Sequence, residues 1–208
     1  MNAEMHIEPV RRKVVWGSRT RLAVALAGAV LLTVGALLLT SCSQAVRTGQ
    51  ASSYLILTSL QSSAGSTVVQ SDVQTGTPPT TSVVSDPATA AFELQMKDVT
   101  GLGPSPNNAI TITQYHVKFT RTDGRNAEGV DVPYAFDGAV TTTISSAGSV
   151  GFTLVRSQAK LEAPLAALAQ TNIPVTTIAT VTFYGHDQVG REVSVSGSIE
   201  VTFANFPG

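Results

Sequence analysis

The most constraining feature of this sequence is a strict alternation of apolar and polar residues near its C-terminal end. Between residues 193 and 203 every second residue is apolar or glycine, and serine, threonine or glutamate fills the positions between. Since successive side chains of a β-strand point to opposite faces, this period of two predicts a half-buried strand. Gly197 falls on the apolar face, where a missing side chain would let a long strand bend. A second Val/Thr-rich run, residues 176–184, and turn residues 185–190 complete a predicted β-hairpin.

This hairpin is similar to the last two strands of bacterial immunoglobulin-like modules. Those modules often carry an Asp-x-x-Gly turn between two Val/Thr-rich strands, and Asp187 and Gly190 hold those places here. The resemblance covers residues 176–203 and implies an antiparallel β-sandwich. After Cys42 the chain has no further cysteine and no tryptophan. The resemblance therefore does not extend to the antibody type, which has a Cys–Trp–Cys core.

Upstream patterns raise the expected number of strands to about seven and indicate an all-β domain over residues 53–208. Further strands are predicted near residues 54–60, 92–96, 109–121, 139–144 and 150–155. The apolar phase slips by one residue near Thr113 and Gln114, which predicts a β-bulge. Pro164 suits the first turn of a short helix at residues 163–169, which would cross between the sheets and bury Leu161, Leu165 and Leu168. The Ser/Thr/Gly/Pro-rich residues 61–89 predict a long loop, with room for short edge strands at residues 67–69 and 82–84.

The N-terminal segment has the organisation of a secretory signal. An uncharged apolar run, residues 22–39, predicts a helix over about residues 22–40. It follows five basic residues: Arg11, Arg12, Lys13, Arg19 and Arg21. At its end stand Leu39, Thr40, Ser41 and Cys42, an aliphatic residue and a small residue placed before the only cysteine. This pattern resembles the lipobox of bacterial lipoproteins.

The lipoprotein resemblance implies a signal peptide over residues 1–41, cleavage after Ser41 and attachment of acyl chains (palmitate among them) to Cys42. Two or three acyl chains hold a protein stably on a membrane, whereas one is marginal. Residues 42–52 would then be a polar tether. The length of the apolar run also permits the alternative of an uncleaved transmembrane anchor. In both cases the basic flank stays in the cytoplasm and the domain is exported into the bacterial cell envelope. In Gram-negative lipoproteins, an aspartate directly after the lipidated cysteine usually marks retention at the inner membrane. Residue 43 is a serine, which favours the outer membrane if the host has two membranes.

Charge and cysteine content exclude several functions for the exported part. Eight basic and twelve acidic residues follow Ser41, so its net charge is −4 (8 − 12). Nucleic acid is therefore not an expected partner, because its binding needs a basic surface. No disulfide is possible within the domain. No short catalytic motif such as G-x-S-x-G or H-E-x-x-H is present, and we predict no cofactor, no metal and no catalytic residue.

Four residues are candidates for contact with a partner. Tyr134 and Phe136 lie among turn formers and would anchor an interface if exposed, although plugging the end of the core is an equal alternative. His186 and Asp187 share the last turn, where an Asx-type turn beside an exposed histidine is the commoner arrangement. His116 should point away from the core beside Lys118.

The loop carboxylates give a further hypothesis. Asp123, Glu128, Asp131 and Asp137 are close in sequence, and a calcium ion takes six to eight oxygen ligands. Solvated loop charges are the alternative. The sequence thus favours a lipid-anchored, non-enzymatic binding or structural module that contacts an envelope protein or glycan. The alternative is an exported hydrolase or metal-dependent enzyme using His186, His116 and the loop carboxylates.

Overall fold

The computed structural model describes residues 50–76, 79–98, 103–171 and 173–206. The predicted signal peptide, Ser41, Cys42 and most of the predicted tether lie outside these residues. The described chain is mostly β-strand. Its strands are β1 Ser53–Ser62, β2 Val68–Asp72, β3 Asp86–Met96, β4 Ile110–Thr120, β5 Phe136–Ile144, β6 Ala147–Val155, β7 Val175–Asp187 and β8 Glu192–Ala204. Its helical turns are a 3₁₀ turn at Pro106–Asn108, α1 Ser157–Lys160 and α2 Leu165–Leu168. Neither α1 nor α2 is long enough to cross a membrane.

The strands form two sheets, which agrees with the predicted all-β sandwich. One sheet has three antiparallel strands in the order β1-β3-β6, and the other has five in the order β2-β8-β7-β4-β5. Within the larger sheet only β2 runs parallel to its neighbour, β8. The connection between β5 and β6 carries the chain from the larger sheet to the smaller one. Residues 145 and 146 alone separate these two strands.

An aromatic cluster joins the two sheets at the centre of the core. Phe92 and Phe152 come from the smaller sheet, and Phe183 and Tyr115 come from the larger one. The ring centroids of Phe92 and Phe183 are 5.0 Å apart, and those of Phe152 and Phe183 are 5.3 Å apart, both edge to face. Edge-to-face pairs add about 0.5–1.5 kcal/mol beyond the area that they bury. The alternating apolar residues of the hairpin therefore face the other sheet, as the sequence pattern predicts.

The predicted loop over residues 61–89 is partly β-structure. β2 occupies the position of the first possible edge strand and forms an edge of the five-stranded sheet, where Val69 is buried. At the second position, Ser82 makes a single bridge to Thr75. β3 begins at Asp86, so the predicted loop, which ends at residue 89, includes the first four residues of this strand. Aspartate, proline and alanine make up most of residues 86–91 and are depleted in strands, and pairing with β6 holds this part of β3 extended.

The predicted helix at residues 163–169 corresponds to α2, whose Leu165 and Leu168 are buried. The expectation that Leu161 shares their buried face is wrong, because Leu161 is 60% exposed. Leu161 follows α1, and the chain does not continue from α1 into α2 as one helix. Leu161 therefore does not share a helical face with Leu165 and Leu168.

The bulge predicted near Thr113 and Gln114 is confirmed. The register of β4 shifts between Ile112 and Gln114 against both of its neighbours, β5 and β7. Thr113 and Gln114 are both exposed, so two successive side chains reach solvent where a regular strand would offer one. The bulge therefore changes the shape of the solvent face of the sheet at this point.

The predicted hairpin is present, with a shorter turn than expected because β7 extends to Asp187. Asp187 Oδ1 accepts hydrogen bonds from the backbone N–H groups of Val189 and Arg191, at 3.0 and 2.8 Å. Gly190 has a φ of 82°, a conformation that favours glycine. Gly197 makes room for the opposite sheet, because a Cβ there would overlap Leu57 Cδ2.

Candidate functional site

The solvent face of the five-stranded sheet, called here the outer face, carries polar side chains in register. Gln114, Tyr184 and Ser194 form one row across β4, β7 and β8. Asp137, His116, Thr182 and Ser196 form the next row, which begins on β5. These rows follow from the period of two, since the apolar neighbours of these residues point into the core. The outer face is thus a hydrogen-bonding surface supported by a rigid sheet.

A groove of about 610 Å³ opens on this face beside the bulge of β4, and we call it the bulge groove. Its lining residues are Thr113, Gln114, Asp137, Tyr184, Gly185, His186, Gly190, Glu192, Val193 and Ser194. A smaller concavity of about 420 Å³ shares three of them and extends toward Gly138 and Ala139. Together the two concavities follow the bulge from β8 to β5.

Two backbone features shape the bulge groove. The bulge places Thr113 and Gln114 side by side at its wall. On β7, Gly185 lies opposite Ile112, and a Cβ at Gly185 would overlap the carbonyl oxygen of Thr111. Glycine in a strand interior often marks such a close backbone approach. The groove therefore depends on a paired irregularity, a bulge in one strand and a glycine in its neighbour.

Asp137 joins the bulge groove to His116. The two residues are opposite each other in register, and His116 Nδ1 lies 2.9 Å from Asp137 Oδ1. Their side chains are 33% and 61% exposed, respectively. His116 lies on the outer face, as predicted, and its contact orients the Asp137 carboxylate. Asp137 keeps enough exposed surface to accept hydrogen bonds from a ligand.

His186 lies in the bulge groove as well, exposed and opposite Glu192 in register. The described lining residues of the groove thus offer an imidazole, two carboxylates, a phenol, an amide and two hydroxyls. Within the described residues, no three histidine, cysteine, aspartate or glutamate side chains are placed to share a metal ion. This arrangement can both accept and donate hydrogen bonds.

The other predicted contact residues do not join this site. Asp187 is 3% exposed, so its side chain organises the turn and offers no surface. Phe136 is also buried, and the Arg156 guanidinium lies 4.3 Å from its ring centroid. Tyr134 is 50% exposed and its ring covers Gly129. Tyr134 lies in the connection that follows the C-terminal end of β4. His186 pairs with Thr111, near the N-terminal end of β4.

The loop carboxylates are separated by their own contacts. Asp123 accepts hydrogen bonds from Arg121 and from the backbone and side chain of Arg125. These bonds, with that of Arg121 the largest effect, lower the pKa of Asp123 from 3.8 to about 2. Asp131 accepts a hydrogen bond from the backbone N–H of Ala127. Asp123 and Asp131 are thus each engaged in a turn, whereas Asp137 lies on β5 beside His116 and not in the loop.

One polar cluster had no sequence signal. Lys160 on α1 is buried, and its Nζ donates to Asp86 Oδ1 at 2.9 Å and to the carbonyl oxygen of Asp72 at 2.8 Å. Ser71 Oγ donates to the other oxygen of Asp86. The cluster ties β2, β3 and α1 together. These residues are far apart in sequence, so only the folded topology brings them together.

Comparison with models of protein families gives no match for the chain. Comparison with curated proteins gives no match either.

Proposed function

We propose that this protein is a bacterial lipoprotein, anchored by acyl chains on Cys42 after cleavage behind Ser41, and exported into the cell envelope. The residues that support the proposal are the basic flank, the apolar run and the sequence Leu39-Thr40-Ser41-Cys42. An anchored domain needs no transmembrane helix of its own, because acyl chains supply the membrane affinity.

The exported domain is, in this proposal, an immunoglobulin-like module that binds an envelope partner without catalysis. Two sheets around a shared core and the Asp-x-x-Gly turn at Asp187 and Gly190 support the immunoglobulin-like assignment. The observation that carries the binding function is the bulge groove, a concave polar surface on a rigid sheet. Surfaces of this kind bind ligands without a large change of shape.

The anchor is tested by labelling growing cells with radioactive fatty acid. We expect the wild-type chain to be labelled and the Cys42→Ala chain to be unlabelled and unprocessed. Ser43→Ala is the matched control, since it lies next to the cysteine but outside the lipobox, and it should label normally. Label that persists on the Cys42→Ala chain would contradict the lipoprotein assignment.

The binding function is tested by placing a photo-crosslinking amino acid at position 186, in the bulge groove, or at position 149, on the other sheet. Ser149 is exposed and far from the groove in the topology, so it reports random encounters. We expect an adduct after irradiation of cells that carry the probe at position 186 and none from position 149. Equal adducts, or none at either position, would count against a binding surface at the groove.

A second function, an exported hydrolase, is favoured by one observation. His186, Asp137 and Glu192 line the same groove, and a histidine beside carboxylates is a common general base. The crosslinked partner distinguishes the two functions. An enzyme would release cleaved partner that a His186→Ala chain leaves intact, whereas a binding module would leave the partner intact in both.

A further inference from the structure

We infer that one end of the sandwich, called here the entry end, rests on the lipid surface of the membrane that anchors the chain. The entry end consists of the β7–β8 turn, residues 188–191, together with the start of β1 and the end of β3. This inference rests on the proposed function, since it needs an anchor upstream of residue 50, and it names the surface that the anchored domain contacts. It is carried by the place where the chain enters the domain, by the length of the tether and by the side chains exposed at that end.

The chain enters the domain at this end and is held there by hydrogen bonds. Arg191 Nη1, in the turn, donates to the carbonyl oxygen of Gln50 at 2.9 Å. Ser53, at the start of β1, is 2% exposed, and its Oγ donates at 3.1 Å to the carbonyl oxygen of Asn108, which lies two residues before β4. The chain is therefore fixed to the entry end of the sandwich from Gln50 onward.

The tether is too short for the opposite end of the sandwich to rest on the membrane. Gln50 is the eighth residue after Cys42, so even a fully extended chain places Gln50 at most about 29 Å from the proposed anchor. β7 has 13 residues and runs from the opposite end to the entry end, a distance of roughly 40 Å at the rise of a β-strand. With the opposite end on the membrane, Gln50 would stand farther from the lipid than the tether allows. Any contact with the membrane is therefore made by the entry end or by a side of the sandwich.

Val189 gives the entry end an exposed apolar side chain. It lies in the turn and is 73% exposed, the highest value among the large apolar residues of the part of the chain that the structure describes. Asp187 Oδ1 accepts the backbone N–H of Val189 at 3.0 Å, so the turn holds the valine in this position. A single exposed valine is ordinary on a protein surface. The place of Val189, at the end that the tether keeps near the lipid, is what makes it a membrane contact.

Tyr54 contributes an amphipathic ring from the other sheet. It lies near the start of β1, is 57% exposed and points away from the core, since both of its sequence neighbours are buried. Lys97 Nζ lies 4.9 Å from the ring centroid, and the backbone N–H of Lys97 donates to the carbonyl oxygen of Ser52, so both residues belong to the entry end. Tyrosine is enriched at membrane–water interfaces because its ring is apolar and its hydroxyl stays hydrated. Val189 lies between strands of the five-stranded sheet, so contact with both side chains places the membrane across the end of the sandwich rather than along either sheet.

The tether also explains why a few side chains suffice. An anchor makes contact with the membrane an intramolecular event, for which a short linker gives an effective concentration in the millimolar range. The contact therefore orients the domain and adds little to the affinity that the acyl chains supply. In this orientation the bulge groove, which Gly190 of the turn helps to line, opens beside the membrane, so its partner is bound near the lipid surface.

The test places a single tryptophan in the full chain, which is purified and reconstituted into phosphatidylcholine vesicles. Trp16, the only tryptophan of the sequence, is replaced by phenylalanine in every variant, so that one indole reports. Fluorescence is compared between ordinary vesicles and vesicles with brominated acyl chains, which quench an indole in contact with lipid. We expect Val189→Trp and Tyr54→Trp each to lose about half of their fluorescence in brominated vesicles, because indoles at an interface sit at the level of the headgroups.

Val130→Trp is the matched control, because Val130 is 70% exposed and lies in the connection after the C-terminal end of β4, at the opposite end of the sandwich. It should lose no fluorescence. The inference is overturned if Val189→Trp is quenched no more than Val130→Trp, or if Tyr54→Trp alone is quenched, which would mean that the domain lies on its three-stranded sheet. A photo-crosslinking amino acid at position 189, irradiated in cells, is the second measurement. A lipid adduct supports the inference, and a protein adduct alone overturns it in favour of a protein partner.

Failure of this inference and failure of the proposed anchor are distinguishable. A chain that takes up fatty acid at Cys42 but shows no quenching of Val189→Trp contradicts the membrane contact and keeps the anchor. A chain that retains its signal peptide contradicts the acyl anchor. The fluorescence then decides the contact on its own, because the apolar run also ends before Gln50.

Discussion

Lys160 and Asp86 form a buried ion pair, in which 2.9 Å separates Lys160 Nζ from Asp86 Oδ1. The Lys160 side chain has no exposed surface, and Asp86 is 18% exposed. Asp86 begins β3, and Lys160 also donates to the carbonyl oxygen of Asp72 at the end of β2. The pair therefore fixes the short parallel strand β2 to the rest of the sandwich.

Replacing Lys160 by methionine should strongly destabilise the domain. Removal of one partner of a buried ion pair leaves an uncompensated charge and typically costs about 3–5 kcal/mol. Denaturant unfolding followed by circular dichroism measures the change. The exposed Lys118, on β4, is the control, and Lys118→Met should change the unfolding free energy by less than about 0.5 kcal/mol. Similar losses in the two variants would show that the pair has no special role.

Gly185→Ala should destabilise the domain and change the bulge groove. The added Cβ would overlap the carbonyl oxygen of Thr111, and a backbone atom cannot move aside as a flexible side chain can. Forcing an extra methyl into a packed site costs about 1–3 kcal/mol. Gly151 provides the control, since a Cβ there meets nothing within 4 Å. Thermal unfolding of both variants should show a clear loss for Gly185→Ala and almost none for Gly151→Ala.

Asp123 should titrate below the ordinary range of an aspartate. Its pKa is lowered from 3.8 to about 2, first by the hydrogen bond from Arg121 and next by the backbone N–H of Arg125. Carboxyl-carbon NMR across an acid titration would locate this pKa. Arg121→Gln should raise it toward 3.8, and Arg125→Gln should raise it less because the backbone bond survives. An unchanged pKa in Arg121→Gln would contradict this assignment.

The same contact predicts a direction for the pH dependence of stability. A carboxyl with a lower pKa in the folded state stabilises the fold at pH values above its unfolded pKa. The contribution is complete above pH 3.8 and is lost as the pH falls toward about 2. Because Asp123 is exposed to solvent, the effect is small. Wild type and Arg121→Gln should therefore differ in stability at pH 5 and converge near pH 2.

The fold was predictable where periodicity decides it. Alternation alone identified the hairpin of β7 and β8, and a phase slip of one residue located the bulge at Thr113 and Gln114. The parallel pairing of β2 with β8 was not predictable. β2 has five residues, and its position depends on Lys160, which lies 88 residues after Asp72.

The candidate site was predictable only in pieces. The sequence shows His186 and Asp137 as polar residues of separate segments, and it predicts a bulge at Thr113 and Gln114. Strand register places all four around one groove, and no local pattern states which strands become neighbours. The phase slip was the available signal, because bulges concentrate beside functional sites. Tyr184 and Ser194 follow once β7 is paired with β4 and β8 is paired with β7.

Substitution of Asp187 tests whether this residue of the β7–β8 turn has a structural role. Asp187 is buried, and its Oδ1 accepts the N–H groups of Val189 and Arg191. Asp187→Ala leaves both donors without this partner and should cost about 1–3 kcal/mol of unfolding free energy. Asp187→Asn keeps an acceptor oxygen of the same shape and should lose less. If the neighbouring groove depends only on the turn being folded, Asp187→Asn should also retain the adduct formed by the probe at position 186. A stable Asp187→Ala domain that loses this adduct would instead place Asp187 among the residues that contact the ligand.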